Sequence, residues 1–230
     1  MTLIQDIPEF EKPREKAMQF GVHALSNREL IALLIRTGTK AHSSLDIASD
    51  LLRQAGSLGR VLALDVHELK SIRGISNVKA VEIQAIGEIL KRIHYETIID
   101  QNVITSPQAF LSWLIAEIGY ARVENFMVVF LDTANHILSY EILSTGTINS
   151  ATVYPREVMK KAILKGASSI IAVHNHPSHS LKVSMQDKLL TEEIIQAGKT
   201  IGVDVLDHII VTDQAGYSIL HQRTMEVDIK

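Results

Sequence analysis

Three histidines fall within six residues of one segment, HNHPSHSLKVSMQD (174–187), at positions 174, 176 and 179. His174 and His176 stand at i and i+2, directly behind the apolar run SSIIAV (168–173). Side chains alternate along extended backbone, so a strand continuing through this pair projects both imidazoles from the same side. Pro177 steers His176 away from helical backbone and preserves that geometry. Asp187 follows in the first turn of an expected helix. Two imidazoles and a carboxylate are a common zinc set, because three protein ligands leave a fourth position for water, whose pKa the metal brings to about 7. The same set also describes non-haem iron oxygenases, against which the helix-borne Asp187 favours hydrolysis. A plainer reading exists. A His-x-His pair is also found as ordinary hydrogen-bonded histidines, and Ser184-Met185-Gln186-Asp187 fits a helix capping box in which Asp187 serves the helix alone. Spacing leaves both readings open, and they are compatible, since one carboxylate oxygen can meet a metal while the residue caps a helix.

The elements around this segment set its geometry. From Glu124 the composition turns to β-formers: NFMVVFLD (125–132) and HILSYEILS (136–144) read as strands joined by a turn at Thr133–Asn135. Pro155 opens a helix, PREVMKKAILKGA, closed by Gly166. The buried strand 168–173 follows, then the histidine loop, a helix over about 185–197, and strands at 203–212 and 217–220. Ser106-Pro107 starts a further helix over 107–119. Strand-strand-helix-strand-helix-strand describes a mixed sheet with helices packed on it. Asp207-His208 lies in an alternating strand, where His208 reads as a structural hydrogen-bonding residue or as an outer partner of the metal ligands.

The first hundred residues read as helical. Ser26 or Asn27 caps NRELIALLIRTG, with Leu30, Leu33 and Leu34 as its stripe and Gly38 as its stop. Ser43 or Ser44 opens a helix ending near Gly56, short helices follow near Leu62–Leu64 and Val66–Ile72, and residues 68–93 read as helix, tight turn at Gly74, helix. The pattern breaks between Tyr95 and Thr105, which places a boundary between a helical domain over 1–100 and a mixed α+β domain over 104–228.

Composition narrows the function classes. Cysteine is absent, which removes disulfides, thiol catalysis and cysteine-ligated metals and fits a reducing cytoplasm. No apolar run approaches the roughly 18 residues of a membrane span, and the start carries no basic segment followed by an apolar block. Up to Val103 there are 13 Lys/Arg against 13 Asp/Glu, and beyond it 10 against 13, so neither half has the basic excess of a strong nucleic-acid binder.

The pattern His-x-His, seven residues, Ser, two residues, Asp, met here by His174, His176, Ser184 and Asp187, resembles the JAMM (MPN+) metalloprotease signature. Its HNHPS form, preceded by VYPREVMKKAILKGASSIIAV, resembles the bacterial RadC family, as does the N-terminal text PREKAMQFGVHALSNRELIALLIRTGTK. The resemblance covers nearly the whole chain. It implies a JAMM/MPN-like sheet domain with zinc on His174, His176 and Asp187, acting on a peptide or protein substrate as a metallopeptidase or isopeptidase. It also implies a general-base glutamate just before the first β-rich segment, here Glu124 in RVENFMVVFLD. A carboxylate beside the metal can take the water's proton and pass it to the leaving amine; Glu157 is the competitor but reads as first-turn dipole matching. Ser184 is implied as a donor to the developing oxyanion, a type of contribution worth about 2.7–4 kcal/mol. The chain departs from RadC-like sequences at His179-Ser-Leu-Lys-Val, where glycine and an acidic, proline-bearing stretch are usual. The loop therefore turns differently, or His179 adopts the left-handed region; its side chain then meets metal, substrate or solvent.

The family's historical name points to DNA repair, which implies an alternative in which the sheet domain is a scaffold within a DNA-associated accessory protein. SIRGISNVKA resembles a helix-hairpin-helix, and Lys70, Arg73 and Lys79 are its candidate DNA contacts, although Ser76 stands where a second glycine is usual.

Overall fold

The computed structural model describes Pro8, residues 11–146 and residues 153–227. The chain divides into two compact units, Met1–Ile89 and Leu90–Lys230. No helix among the described residues is long and apolar enough to cross a membrane.

The first unit is helical: α1 (Pro13–Phe20), α2 (Asn27–Ile35), α3 (Ser44–Ala55), α4 (Leu58–Ala63), α5 (Val66–Ser71) and the start of α6 (Asn77–Ile98). Ser26 with Glu29, Ser43 with Asp46 and Asp65 with Glu68 form reciprocal capping boxes that satisfy the exposed amides of α2, α3 and α5. The buried face of α2 is Ile31, Ala32 and Ile35 rather than the expected leucines; Leu34 faces solvent. The leucines and the Ile/Ala set both follow helical spacing, and packing on α3 selects the second. α2 also ends before Gly38. Arg36 at φ 64° ends it, and Gly38 serves close approach, since a Cβ there would lie 2.2 Å from the His42 carbonyl oxygen. The expected break after Tyr95 starts slightly later, because α6 continues to the buried Ile98.

The second unit is a six-stranded sheet in the order β2-β1-β3-β4-β5-β6. Its strands are β1 (Asn125–Leu131), β2 (Ile137–Thr145), β3 (Ser169–Asn175), β4 (Asp204–Val211), β5 (Ala215–Ser218) and β6 (Arg223–Glu226). Every strand pairing among the described residues is antiparallel except β3 with β4, which are joined by α9 (Met185–Ile201). A parallel pair needs such a crossover. Alternation on β1 sorts two cores. Phe126, Val128 and Phe130 join Ile170, Ala172 and Ile194 beneath α8 (Pro155–Leu164) and α9. Met127, Val129 and Leu131 join Ile171, Val173 and Trp113 beneath α7 (Pro107–Leu114). Both faces of β1 and β3 are therefore covered, which explains their unbroken burial and the apolar runs at their centres. The helix expected over 107–119 is α-helical only to Leu114 and closes with a π turn over Ile115–Gly119. There Gly119 passes so close to β4's end that a Cβ would lie 2.6 Å from the Thr212 carbonyl oxygen.

Candidate metal centre

His174 lies in β3, on the face covered by α8 and α9, and His176 follows just past the strand's end. His174 is buried, and its Nε2 is 2.9 Å from His176 Nε2. Asp187, buried in the first turn of α9, places Oδ1 3.3 Å from His174 Nε2. A buried carboxylate needs a charge or donor partner. Oδ2 of the same residue accepts from the Ser184 amide at 2.6 Å, while the Asp187 amide donates to Ser184 Oγ at 3.1 Å. The capping box and the approach to His174 thus use different oxygens of one carboxylate.

The protons on the imidazoles follow from their partners. Thr191 Oγ1 donates to the Asp187 carbonyl oxygen at 2.6 Å, so toward His208 Nδ1, also 2.6 Å away, it can only accept. His208 therefore carries its proton on Nδ1. Burial holds this imidazole neutral, pulling its pKa well below the usual value, and the nearby His174 and His176 act in the same direction. Its Nε2 is then an acceptor, and His174 Nδ1, 2.9 Å away, is the donor. His176 Nδ1 donates to the Ser180 carbonyl at 2.6 Å. Burial likewise pulls His174 down to about 4, against the opposing pull of Asp187 and with the help of His176. Both Nε2 atoms are consequently bare lone pairs facing each other.

Two such lone pairs with a carboxylate beside them repel unless a cation or a proton lies among them. A tetrahedral zinc with bonds of about 2.0–2.1 Å needs ligand atoms roughly 3.3 Å apart. The observed separations of 2.9 and 3.3 Å lie close to that, so the residues fit such an ion. Glu124, at the entrance to β1, completes the surroundings: ligand atoms of Glu124, His174 and His176 all lie within 4.8 Å of one another. This trio could hold a metal ion, and it contains Glu124 where the sequence pointed to Asp187. Asp187 thus stands beside His174, and Glu124 lies near both imidazoles. A cavity of about 900 Å³ opens over them, lined by Arg122, Glu124, His176, Lys182, Ser184 and Asp187 among others.

His179 takes the left-handed backbone its position demands, at φ 61°. Its side chain is half exposed, and Nδ1 lies 2.7 Å from Asp213 Oδ1, so it meets a carboxylate of the chain itself. His208 hydrogen-bonds His174 from β4, a contact that both roles of its strand position allow. Glu157 sits in the first turn of α8 beside Arg156, outside the lining of the cavity. In the helical unit, Lys79 Nζ donates to the Thr37 and Gly74 carbonyls at 2.6 and 3.2 Å. That ammonium ties the chain's own turn together, while Lys70 and Arg73 are exposed. Sequence reasoning did not single out Thr191 or Asn175. Thr191 stands one turn beyond Asp187 on the same helical face, and that spacing was the available signal.

A family model described as RadC-like JAB domain matches residues 104–225, and one described as UPF0758 N-terminal matches residues 4–81. A UPF0758 protein of Clostridium acetobutylicum is 40 % identical over 91 % of this chain and 92 % of its own length. One from Halalkalibacterium halodurans is 39 % identical over 95 % and 94 %, and one from Bacillus pumilus is 37 % identical over 94 % and 97 %. With the histidine pair, the flanking carboxylates and the mixed sheet that carries them, these matches place the chain in the UPF0758 family of RadC-like JAB-domain proteins.

Proposed function

We propose that this protein is a zinc-dependent hydrolase of the JAMM type, cleaving peptide or isopeptide bonds in the domain formed by residues 104–228. The observation carrying this reading is that hydrogen bonds to Ser180 and His208 leave both histidine Nε2 atoms as acceptors facing each other, with Asp187 beside His174 and Glu124 within reach of both. His174, His176 and Asp187 hold the metal. Asp187 is preferred to Glu124 as third ligand because it is buried and locked in the helix cap, whereas Glu124 is only partly buried. When bound, zinc supplies Lewis acidity and acidifies a solvent molecule to near neutral pH. Glu124 accepts the proton of the attacking solvent and delivers it to the leaving amine. Ser184, at the cavity wall, donates its hydroxyl to the scissile carbonyl oxygen as that oxygen gains charge.

Purified full-length chain should carry about one zinc, consistent with a single three-ligand site. Elemental analysis should show that zinc lost in His176→Ala and Asp187→Ala. Peptide-library turnover should vanish in Glu124→Gln with zinc retained. Unchanged metal content in His176→Ala would sink the assignment.

A further inference from the structure

We propose that Asn175, the residue between the two histidines, is the positioning residue for Glu124. Alternation along the strand turns its side chain away from the imidazoles, toward the core beneath α7, and it is fully buried. All of its hydrogen-bonding capacity goes to the backbone on either side of Glu124 and to the neighbouring Asn125. Its Oδ1 accepts the Asn125 amide at 2.8 Å and Asn125 Nδ2 at 3.4 Å. Its Nδ2 donates to the Val123 carbonyl at 3.0 Å and the Ala121 carbonyl at 3.3 Å. The orientation of the amide is fixed, because the flipped form would set N–H against N–H and oxygen against oxygen.

The β1–β3 ladder begins at Phe126 opposite His174, so one residue earlier the Asn175 side chain replaces the backbone pairing. It clamps the carbonyl before Glu124 and the amide after it. Glu124's own carbonyl accepts from the Gly146 amide at 2.8 Å. Asn125 Oδ1 accepts from Thr145 Oγ1 at 3.0 Å, which extends the clamp to β2. The backbone that carries Glu124 is therefore pinned at three consecutive residues, and two of the pins come from one side chain. That side chain belongs to the same short segment as both histidines. Ligands and base are registered to each other through a single residue, which gives the middle position of His-Asn-His a task distinct from that of its neighbours. A carboxylate base works only when held within hydrogen-bonding reach of its target, and a shift of about 1 Å is costly. The inference rests on the hydrolase reading.

The test is a double-mutant cycle between Asn175 and Glu124 in the zinc-loaded full chain, with acetohydroxamate as probe. This chelator binds zinc and presents N–H and O–H groups that an adjacent carboxylate accepts. Asn175→Asp keeps the acceptor for the Asn125 amide but sets an anion against two carbonyls. Asn175→Ala removes every contact and serves if the first variant does not fold. Calorimetry should show each variant keeping its zinc and binding hydroxamate about tenfold more weakly, as expected for a mispositioned charged hydrogen bond. In a Glu124→Gln background the same substitutions should add no more than about twofold. Full additivity, or wild-type affinity in the folded variants, would overturn the positioning role. A wild-type chain that takes up no zinc fails at an earlier step and overturns the hydrolase reading instead.

Discussion

Replacing Thr191 with valine preserves the shape of the side chain and removes one hydroxyl, yet the consequence should appear two residues away along a hydrogen-bonded path. The hydroxyl receives the His208 Nδ1 proton and passes its own to the Asp187 carbonyl, each at 2.6 Å. In Thr191→Val the fully buried His208 keeps an N–H with no acceptor, at a cost of about 1–3 kcal/mol. His208 escapes that cost by moving its proton to Nε2, which faces His174 Nδ1 at 2.9 Å. His174 must then accept there and carry its proton on Nε2, the atom next to Asp187 and His176. A protonated Nε2 cannot ligate a metal. Whichever tautomer the free protein adopts, binding must absorb the penalty, so zinc affinity should fall roughly 10- to 100-fold. Thr191→Ser retains the hydroxyl and should stay within about threefold of wild type. Competition against a chromophoric chelator at neutral pH measures both, and nitrogen-15 spectra of the imidazoles read the tautomers directly. Wild-type affinity in Thr191→Val would refute the proton relay. Equal losses in the serine and valine variants would show that the site responds to any change at residue 191 and not to the hydroxyl in particular.

Two further outcomes follow from the same geometry. With metal removed by a chelator, stability should decline as pH falls: burial holds the His174 pKa at about 4 against an ordinary 6.5, so between those values the unfolded chain binds a proton that the folded chain refuses. The loss should begin below the unfolded value, level off below the folded one and reach on the order of 3 kcal/mol, with His208 adding in the same direction; urea midpoints flat from pH 7.5 to 4.5 would contradict it. At His179, φ is 61° and the imidazole pairs with Asp213. His179→Gly should therefore stay within about 1 kcal/mol of wild type, because relief of the left-handed backbone offsets the lost pair. His179→Val, β-branched in the same conformation, should lose about 1–2 kcal/mol or more in urea unfolding, and equal stability of the two would deny the strain.

What could be read from the chain alone was what depends on near neighbours. The imidazoles of His174 and His176 converge because alternation is a local rule. Asp187 points inward because a serine three residues before it starts a helix. The strands β1, β2 and β3 showed themselves because both faces of the central pair are covered. By contrast, the buried face of α2 lies one step from the expected leucine stripe, since IALLI offers two apolar stripes and only the position of α3 decides between them. The strand β6, Arg223–Glu226, is mostly exposed and polar in text, and it exists because β5 offers an edge. The groups that tune the site act across distances no local rule spans. Asn175 reaches residues some fifty positions away, and His208 meets His174 across 34. Both contacts follow from sheet register, which pairs Phe126 and Ile210 with His174.

That division also explains why Glu124 could be found only by resemblance. A glutamate before a strand is chemically ordinary, and nothing adjacent to it in sequence announces a catalytic partner. Its significance arises when β1 and β3 align antiparallel, setting Asn125 beside Asn175 and so Glu124 within reach of both histidines. A one-residue slip of β1 against β3 would exchange the faces of every β1 side chain. It would set the alternation of Phe126, Val128 and Phe130 against the wrong helices and take Asn125 off the Asn175 amide. The apolar pattern of β1 therefore does more than fill a core. By forbidding that slip, it fixes the distance between the candidate base and the candidate ligands.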